Sequence, residues 1–317
     1  MTISFNPEQA LWVEKYRPAT IGECILPERV KKEFRGFVES GDFPSMILAG
    51  SAGIGKTTVA RALCQEMGMD HILINASNER GIDVLRTQIS QFASTVSFSD
   101  NPVKVIIMDE FDQATPLLQT AMRAAIEEFT NARFILTCNF PNKIIDPIHS
   151  RCPSISLTVA KEEKVEMLTE FGKRVYEILK NEGVAHSKPA VGKLIMRLFP
   201  DYRKILNTLQ RMSKTGAKLD EEVCGLIDKD LDISKLVKLL ASKDFPAMRQ
   251  WVAQNAQDDV NLLYRKVYDN LKDMLKPEYI PDAIIKIADY QYRGVTSPDP
   301  EINFVAFCIE MMGLGYK

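Results

Sequence analysis

The stretch Gly50-Ser51-Ala52-Gly53-Ile54-Gly55-Lys56-Thr57 constrains this chain more than any other. It follows the apolar run Met46 to Ala49 and precedes a helical pattern, the setting in which the spacing GxxxxGK[ST] has a physical meaning. Glycines let backbone N–H groups curl around phosphates, and the N-terminus of the following helix adds partial positive charge. In such a loop Lys56 reaches the β and γ phosphates, Thr57 offers a hydroxyl to magnesium and Thr58 adds a donor near the α phosphate. ATP and Mg2+ are therefore the expected ligands, with Gly53, Ile54, Gly55, Lys56, Thr57 and Thr58 around the phosphates.

A phosphate cradle of this type needs a sheet behind it, and the first half of the chain supplies one. Met46 to Ala49, Ile72 to Asn75, Val103 to Met108 and Phe134 to Cys138 read as short buried strands. Between them lie helical stripes such as Leu85, Ile89, Phe92, Val96 and Leu118, Met122, Ala125, Phe129. That alternation predicts a mostly parallel sheet covered by helices on both faces. Thr115-Pro116 reads as an N-cap and first helical residue. After about Thr158 the strand signals stop, and stripes such as Val165, Leu168, Val175, Leu179 and Val260, Leu263, Val267, Leu271, Met274 predict helices only. Shifts in composition at Thr158 to Glu163 and at Asp228 to Asp232 divide the chain into an α/β domain (1–159), a small helical domain (160–229) and a larger helical domain (230–317). A length of 317 residues also exceeds what one hydrophobic core normally organises.

The carboxylates that phosphate chemistry requires stand at the end of the third strand, in Val103-Lys104-Val105-Ile106-Ile107-Met108-Asp109-Glu110. Asp109 is placed to hold magnesium through its water shell and Glu110 to polarise the attacking water, which predicts hydrolysis as well as binding. Asn139, at the end of the fourth strand, can orient the water or the γ phosphate. Arg151 in Ser150-Arg151-Cys152 is either a group for spread negative charge or a surface salt-bridge partner; the spacing does not choose.

Composition excludes several other classes. With 40 basic and 42 acidic residues the net charge is -2, so a uniformly positive nucleic-acid coat is ruled out. Six cysteines without a CxxC pair suggest neither a zinc module nor a disulfide framework. His71, His149 and His186 lack ligand spacing and are set aside. No run approaches the roughly 18 apolar residues of a membrane span, and a cytoplasmic location is expected.

The order of Trp12-Val13-Glu14-Lys15-Tyr16-Arg17-Pro18, the phosphate loop, Asn75-Ala76-Ser77-Asn78-Glu79-Arg80-Gly81-Ile82, Asp109-Glu110, Thr137-Cys138-Asn139 and Ser150-Arg151-Cys152 resembles the replication factor C-type clamp loaders. These are AAA+ ATPases that open a ring-shaped sliding clamp and close it around primer-template DNA. Glu23 to Pro27, Asp109 to Asp112 and Phe199 to Lys204 look most like the ATPase-bearing subunits of T-even-type bacteriophages, which implies a viral origin and a host cytoplasm. The chain departs from the family in having Phe111 where alanine is usual, in lacking the usual proline pair in the phosphate loop, and in reading Pro200-Asp201-Tyr202-Arg203 where Gly-Asp-Met-Arg is familiar.

The resemblance implies roles that spacing does not show. Val13, Glu14, Lys15, Tyr16 and Ile25 would enclose the adenine, Asn139 would be a first sensor of the nucleotide, and Arg203 a second, reaching it from a helical lid. Arg151 would act in trans on ATP held by a neighbouring subunit. Residues from about Leu231 to Lys317 would form a collar. The implied partners are other copies of the chain in a ring, a distinct small subunit, the sliding clamp and primer-template DNA, with Arg80 and Arg86 facing the DNA. Three other readings stay open beside this one: an archaeal or eukaryotic-type small subunit, a non-hydrolysing scaffold subunit, and an AAA+ DNA motor such as a branch-migration helicase.

Overall fold

The computed structural model describes residues 11–77, 82–95, 101–214, 218–220, 233–256 and 260–316. The chain divides into two compact units, Met1–Cys224 and Gly225–Lys317. Asp228 to Asp232, where the second composition shift falls, lies outside the described residues.

The first unit is built on five strands: β1 (Met46–Ala49), β2 (Met69–Asn75), β3 (Asn101–Asp109), β4 (Ala132–Cys138) and β5 (Ser154–Ser156). They lie in the order β2-β3-β4-β1-β5, and every pairing is parallel. Four of these contain the strands expected from sequence. The fifth was not foreseen, because Ser154-Ile155-Ser156 has a single apolar side chain and gives no strand signal by composition. Successive side chains of a strand point to opposite faces. Accordingly Met46, Leu48, Val105, Ile107 and Ile135 enter one core, while Ile47, Ala49, Ile106, Met108, Phe134 and Leu136 enter the other.

Helices cover both faces. α1 (Trp12–Lys15), α2 (Glu28–Ser40) and α3 (Lys56–Glu66) come early, followed by α4 (Ile82–Ser94), α5 (Pro116–Glu128) and the short α6 (Asp146–His149). Thr115 does cap α5, its Oγ1 accepting the Leu118 N–H at 3.3 Å. Among the described residues α7 (Lys164–Asn181), α8 (Lys188–Leu198) and α9 (Tyr202–Ser213) follow in the same unit. In α7 the buried face is Met167, Phe171, Val175, Ile178 and Leu179, and Val165 is 72% exposed. The stripe expected from Val165 therefore starts one turn too early, since β-branched Val165 stands where the helix turns to solvent.

The second unit holds α10 (Ile233–Ala241), α11 (Phe245–Asn255), α12 (Val260–Met274), α13 (Ile280–Thr296) and α14 (Pro300–Met311). Leu263, Val267, Leu271 and Met274 of α12 are buried as their spacing predicts. Tyr264 packs edge-on against Phe304 and Phe307 at 4.9 and 5.0 Å, and its hydroxyl accepts a hydrogen bond from buried Asn303. Such a buried polar contact avoids the cost of a stranded hydroxyl.

Candidate active site

The phosphate loop runs from the end of β1 into α3. Gly53 (φ 73°) and Gly55 (φ 97°) both occupy left-handed backbone, which a side chain at either position would strain. Gly55 is the N-cap of α3 and gives it no side-chain cap, so the first-turn N–H groups remain a site for an anion. Lys56 is 8% exposed, and its Nζ donates to the carbonyls of Gly50 and Ser51 at 2.9 Å each and to Asn139 Oδ1 at 2.8 Å. Burial pulls the Lys56 pKa below its ordinary value, against the opposing charges of Asp109 and Asp112.

Beside the lysine, Asp109 Oδ1 accepts from Thr57 Oγ1 at 2.8 Å and from Thr137 Oγ1 at 2.5 Å. Thr137 in turn accepts the Glu110 N–H at 3.1 Å. Thr137 thus ties β4 to the end of β3, a role that neither its residue type nor its spacing before Asn139 announces. Glu110 is exposed and holds left-handed backbone (φ 55°, ψ 41°), uncommon for a residue with a side chain and characteristic of sites where geometry serves chemistry. Its Oε2 lies 3.5 Å from Asn75 Nδ2. A hydroxyl paired with a carboxylate is a hard-oxygen donor set of the kind magnesium takes, with phosphate and water filling its other positions. Among the described residues no group of three or more His, Cys, Asp or Glu forms a metal cage that would compete for it.

A cleft opens next to the loop. Val13, Glu14, Tyr16, Ile25, Gly53, Ile54, Gly55, Lys56, Thr57, Thr58 and Arg203 line it. Lys15 does not line it: its Nζ turns away to Glu182 at 2.6 Å, where the Tyr16 hydroxyl also donates. The cleft has further walls that sequence reasoning missed, among them Arg17, Cys24, Phe171, Arg174, Tyr202 and Leu206. Phe171 and Tyr202, with ring centroids 4.5 Å apart, carry apolar spacing on α7 and α9 that by itself signals only core.

Helix α9 reaches the phosphate loop directly. The Tyr202 N–H donates to the Gly53 carbonyl at 3.1 Å, and Asp201 caps α9 by accepting the Lys204 N–H at 2.8 Å. The segment from Leu11 to Leu26 closes the cleft as a strap held from α7 and α9. Gln210 accepts the Trp12 N–H at 3.0 Å, and Arg174 donates to the carbonyls of Glu23 and Tyr16 at 2.8 and 3.0 Å. On the sheet side, Glu66 accepts the Ile21 N–H at 2.6 Å.

Arg151 stands apart from this cluster and does not line the cleft. Its Nε donates to Glu127 Oε1 at 2.7 Å, its Nη2 donates to the same oxygen, and its Nη1 donates to the Pro147 carbonyl at 2.5 Å. Arg80 lies outside the described residues, as does the side chain of Arg86 on α4.

Comparison with known proteins assigns the class first. Residues 46–158 match the family "ATPase family associated with various cellular activities (AAA)", and residues 163–225 match "Sliding-clamp-loader large subunit, AAA+ ATPase lid domain". The fold is also that of the Thermotoga maritima RuvB Holliday junction branch migration motor, with a TM-score of 0.54 over 71% of this chain and 78% of that one. At 17% identity that likeness concerns the fold alone. The chain is thus a nucleotide-binding AAA+ ATPase. It is 34% identical to the sliding-clamp-loader large subunit of Enterobacteria phage T4 over 98% of both chains. It is also 30% identical to the replication factor C small subunit of Archaeoglobus fulgidus, covering 97% of this chain and 98% of that one. The corresponding protein of Methanococcus maripaludis is 34% identical, covering 96% and 98%. The chain belongs to the sliding-clamp-loader family of AAA+ ATPases. Among its described residues no helix is long and apolar enough to cross a membrane.

Proposed function

We propose that this chain is the ATP-hydrolysing subunit of a loader that opens a sliding clamp and places it on primer-template DNA, in a ring with further copies of itself and a distinct small subunit. The observation that carries the reading is the hydrogen-bonded cluster of Lys56, Thr57, Asp109, Thr137 and Asn139 at the phosphate loop. A subunit serving only as scaffold has no need of that cluster.

Roles follow from the positions. Lys56 exchanges the carbonyls of Gly50 and Ser51 for phosphate oxygens, and the first-turn N–H groups of α3 hold the remaining charge. Thr57 and Asp109 hold Mg2+, which when bound neutralises charge on the phosphates during phosphoryl transfer. Glu110, exposed and aimed by its left-handed backbone, orients the water and accepts its proton. Asn139 keeps the water and Lys56 in register, and Arg203 reaches the nucleotide from α9. Val13, Glu14, Tyr16 and Ile25 take the adenine against Phe171, Tyr202 and Leu206. Lys15 acts one step back, holding the strap through Glu182.

Arg151 acts on a neighbouring copy's nucleotide, in keeping with its place outside its own cleft. Arg80, Arg86 and the N-terminus of α4 face DNA phosphates, which suits a loader that must act at any sequence. The match of 163–225 to the clamp-loader large-subunit lid favours a bacteriophage-type loader, working in the host cytoplasm, over the archaeal type.

Steady-state ATP hydrolysis tests this reading, measured for the chain alone and with its co-purifying partner, with and without Mg2+, primer-template DNA and clamp. Strong stimulation by DNA and clamp together is expected. An unchanged rate refutes the loader assignment, and ATP-driven movement along duplex DNA would then identify a motor.

A further inference from the structure

Asp112 has no part in the roles above, yet its surroundings are unusual for a carboxylate. It sits on the turn Phe111–Gln113, two residues beyond Glu110, and is 5% exposed. Its Oδ2 accepts the Phe140 N–H at 3.2 Å, while Oδ1 is buried without a hydrogen-bond partner. A charge so enclosed is expensive to desolvate, and an apolar residue of similar shape would fill a purely structural position at lower cost. The carboxylate also stands close enough to act on two neighbours. Its charge opposes the fall in the Lys56 pKa, and it adds to the burial that pushes the Cys138 thiol up to about 11.

What Asp112 grips is informative. Phe140 directly follows Asn139, whose Oδ1 receives the 2.8 Å hydrogen bond from Lys56. A continuous path therefore runs from the turn after Glu110, through the Asp112 carboxylate, to the turn after β4 and on to the lysine. Thr137 makes the companion link one layer deeper, joining Asp109 and the Glu110 N–H to β4. The Thr137 link fixes the two strand ends, and the Asp112 link fixes the residues just beyond them.

We propose that Asp112 is a positioning residue for hydrolysis: by accepting the Phe140 N–H it holds Asn139 in register with Glu110, while Lys56 keeps its own hold on the phosphate loop. The inference rests on Asn139 taking part in hydrolysis. Asparagine keeps an acceptor for Phe140, whereas alanine and leucine do not, so the carboxylate's bond can be separated from its bulk.

The test uses the full chain in the ring it forms with its co-purifying partner, and reads kcat and KM for ATP, affinity for a fluorescent ATP analogue, and the thermal midpoint. Asp112→Ala should lower kcat about tenfold or more, as misplacement of catalytic groups does, with nucleotide affinity within about twofold. Asp112→Asn should return kcat to within about threefold of the native chain. Asp112→Leu, which fills the space, should behave as the alanine variant and carries the test if that variant does not fold. Added to Asn139→Ala, Asp112→Ala should cause little further loss, because residues acting through one another are not additive. Failure of asparagine to rescue, or a joint fall of affinity and thermal midpoint with kcat, overturns the proposal. Full additivity with an impaired Asn139→Ala overturns it while leaving the Asn139 role intact. Native hydrolysis by Asn139→Ala removes that role and the inference with it.

Discussion

Gly53→Ala isolates the contact between the phosphate loop and α9. The ideal Cβ of alanine would lie 1.8 Å from Asp201 Oδ1 and 2.5 Å from its Cγ, so the carboxylate has to leave. Leaving uncaps α9, at about 0.5–2 kcal/mol. It also loosens the 3.1 Å hydrogen bond from Tyr202 N–H to the Gly53 carbonyl, at about 1 kcal/mol. Left-handed backbone with a side chain adds about 1–2 kcal/mol. The first unit should therefore lose about 2.5–5 kcal/mol, a large share of a typical domain's stability.

Urea unfolding reads this directly. Trp12 lies in the first unit and Trp251 in the second, so in a Trp251→Phe background the emission of Trp12 reports the first unit alone. Gly55→Ala serves as the control: at φ 97° with no atom within 4 Å of its Cβ, it should show only the backbone strain of about 1–2 kcal/mol. Asp201→Ala costs a cap by itself, but combined with Gly53→Ala it should cost less than the two separately, since the clash is gone. A Gly53→Ala loss under about 0.5 kcal/mol, or simple additivity of the pair, would refute the reasoning.

Lys56→Ala should abolish tight ATP binding; retention of native affinity by equilibrium titration would remove the phosphate-loop assignment. Arg151→Ala should bind ATP normally and hydrolyse it at least about a hundredfold more slowly, by analogy with other arginine fingers. Mixing it with Glu110→Gln subunits should restore part of the rate, and no recovery would count against action in trans. Although burial pushes the Glu182 carboxyl up, the hydrogen bonds from Lys15 and Tyr16 outweigh it and bring its pKa below the usual 4.5. That contribution is present above the unfolded pKa and is lost as pH falls through the lowered folded value. Trp12 fluorescence should accordingly show strap release on acidification below about pH 4.5, and Glu182→Gln should flatten that profile.

Much of the site was legible because its chemistry is local in sequence. The loop from Gly50 to Thr57 and the strand ends at Asp109 and Asn139 each announce themselves by residue type and by the apolar run before them. What stayed hidden depends on contacts between distant segments. Glu182 is 166 positions from Tyr16, and nothing in the α7 pattern distinguishes it from a solvated helix end. Phe171 and Tyr202 look like core in any apolar stripe until folding sets them across the cleft from Val13 and Ile25. Strand β5 was missed for a related reason, since its register with β1 comes from the sheet and not from the side chains of Ser154 and Ser156.

The strap bears on time as well as affinity. Its hold comes from several separate points, among them Gln210 on α9, Arg174 on α7, Glu182 just past the end of α7 and Glu66 on α3. With the base seated behind Val13 and Tyr16 as proposed, a spent nucleotide would leave through a local opening of this wall, so its residence would depend on these contacts as well as on those to the phosphates. Loosening one point would shorten the dwell of ADP without touching any atom that meets a phosphate.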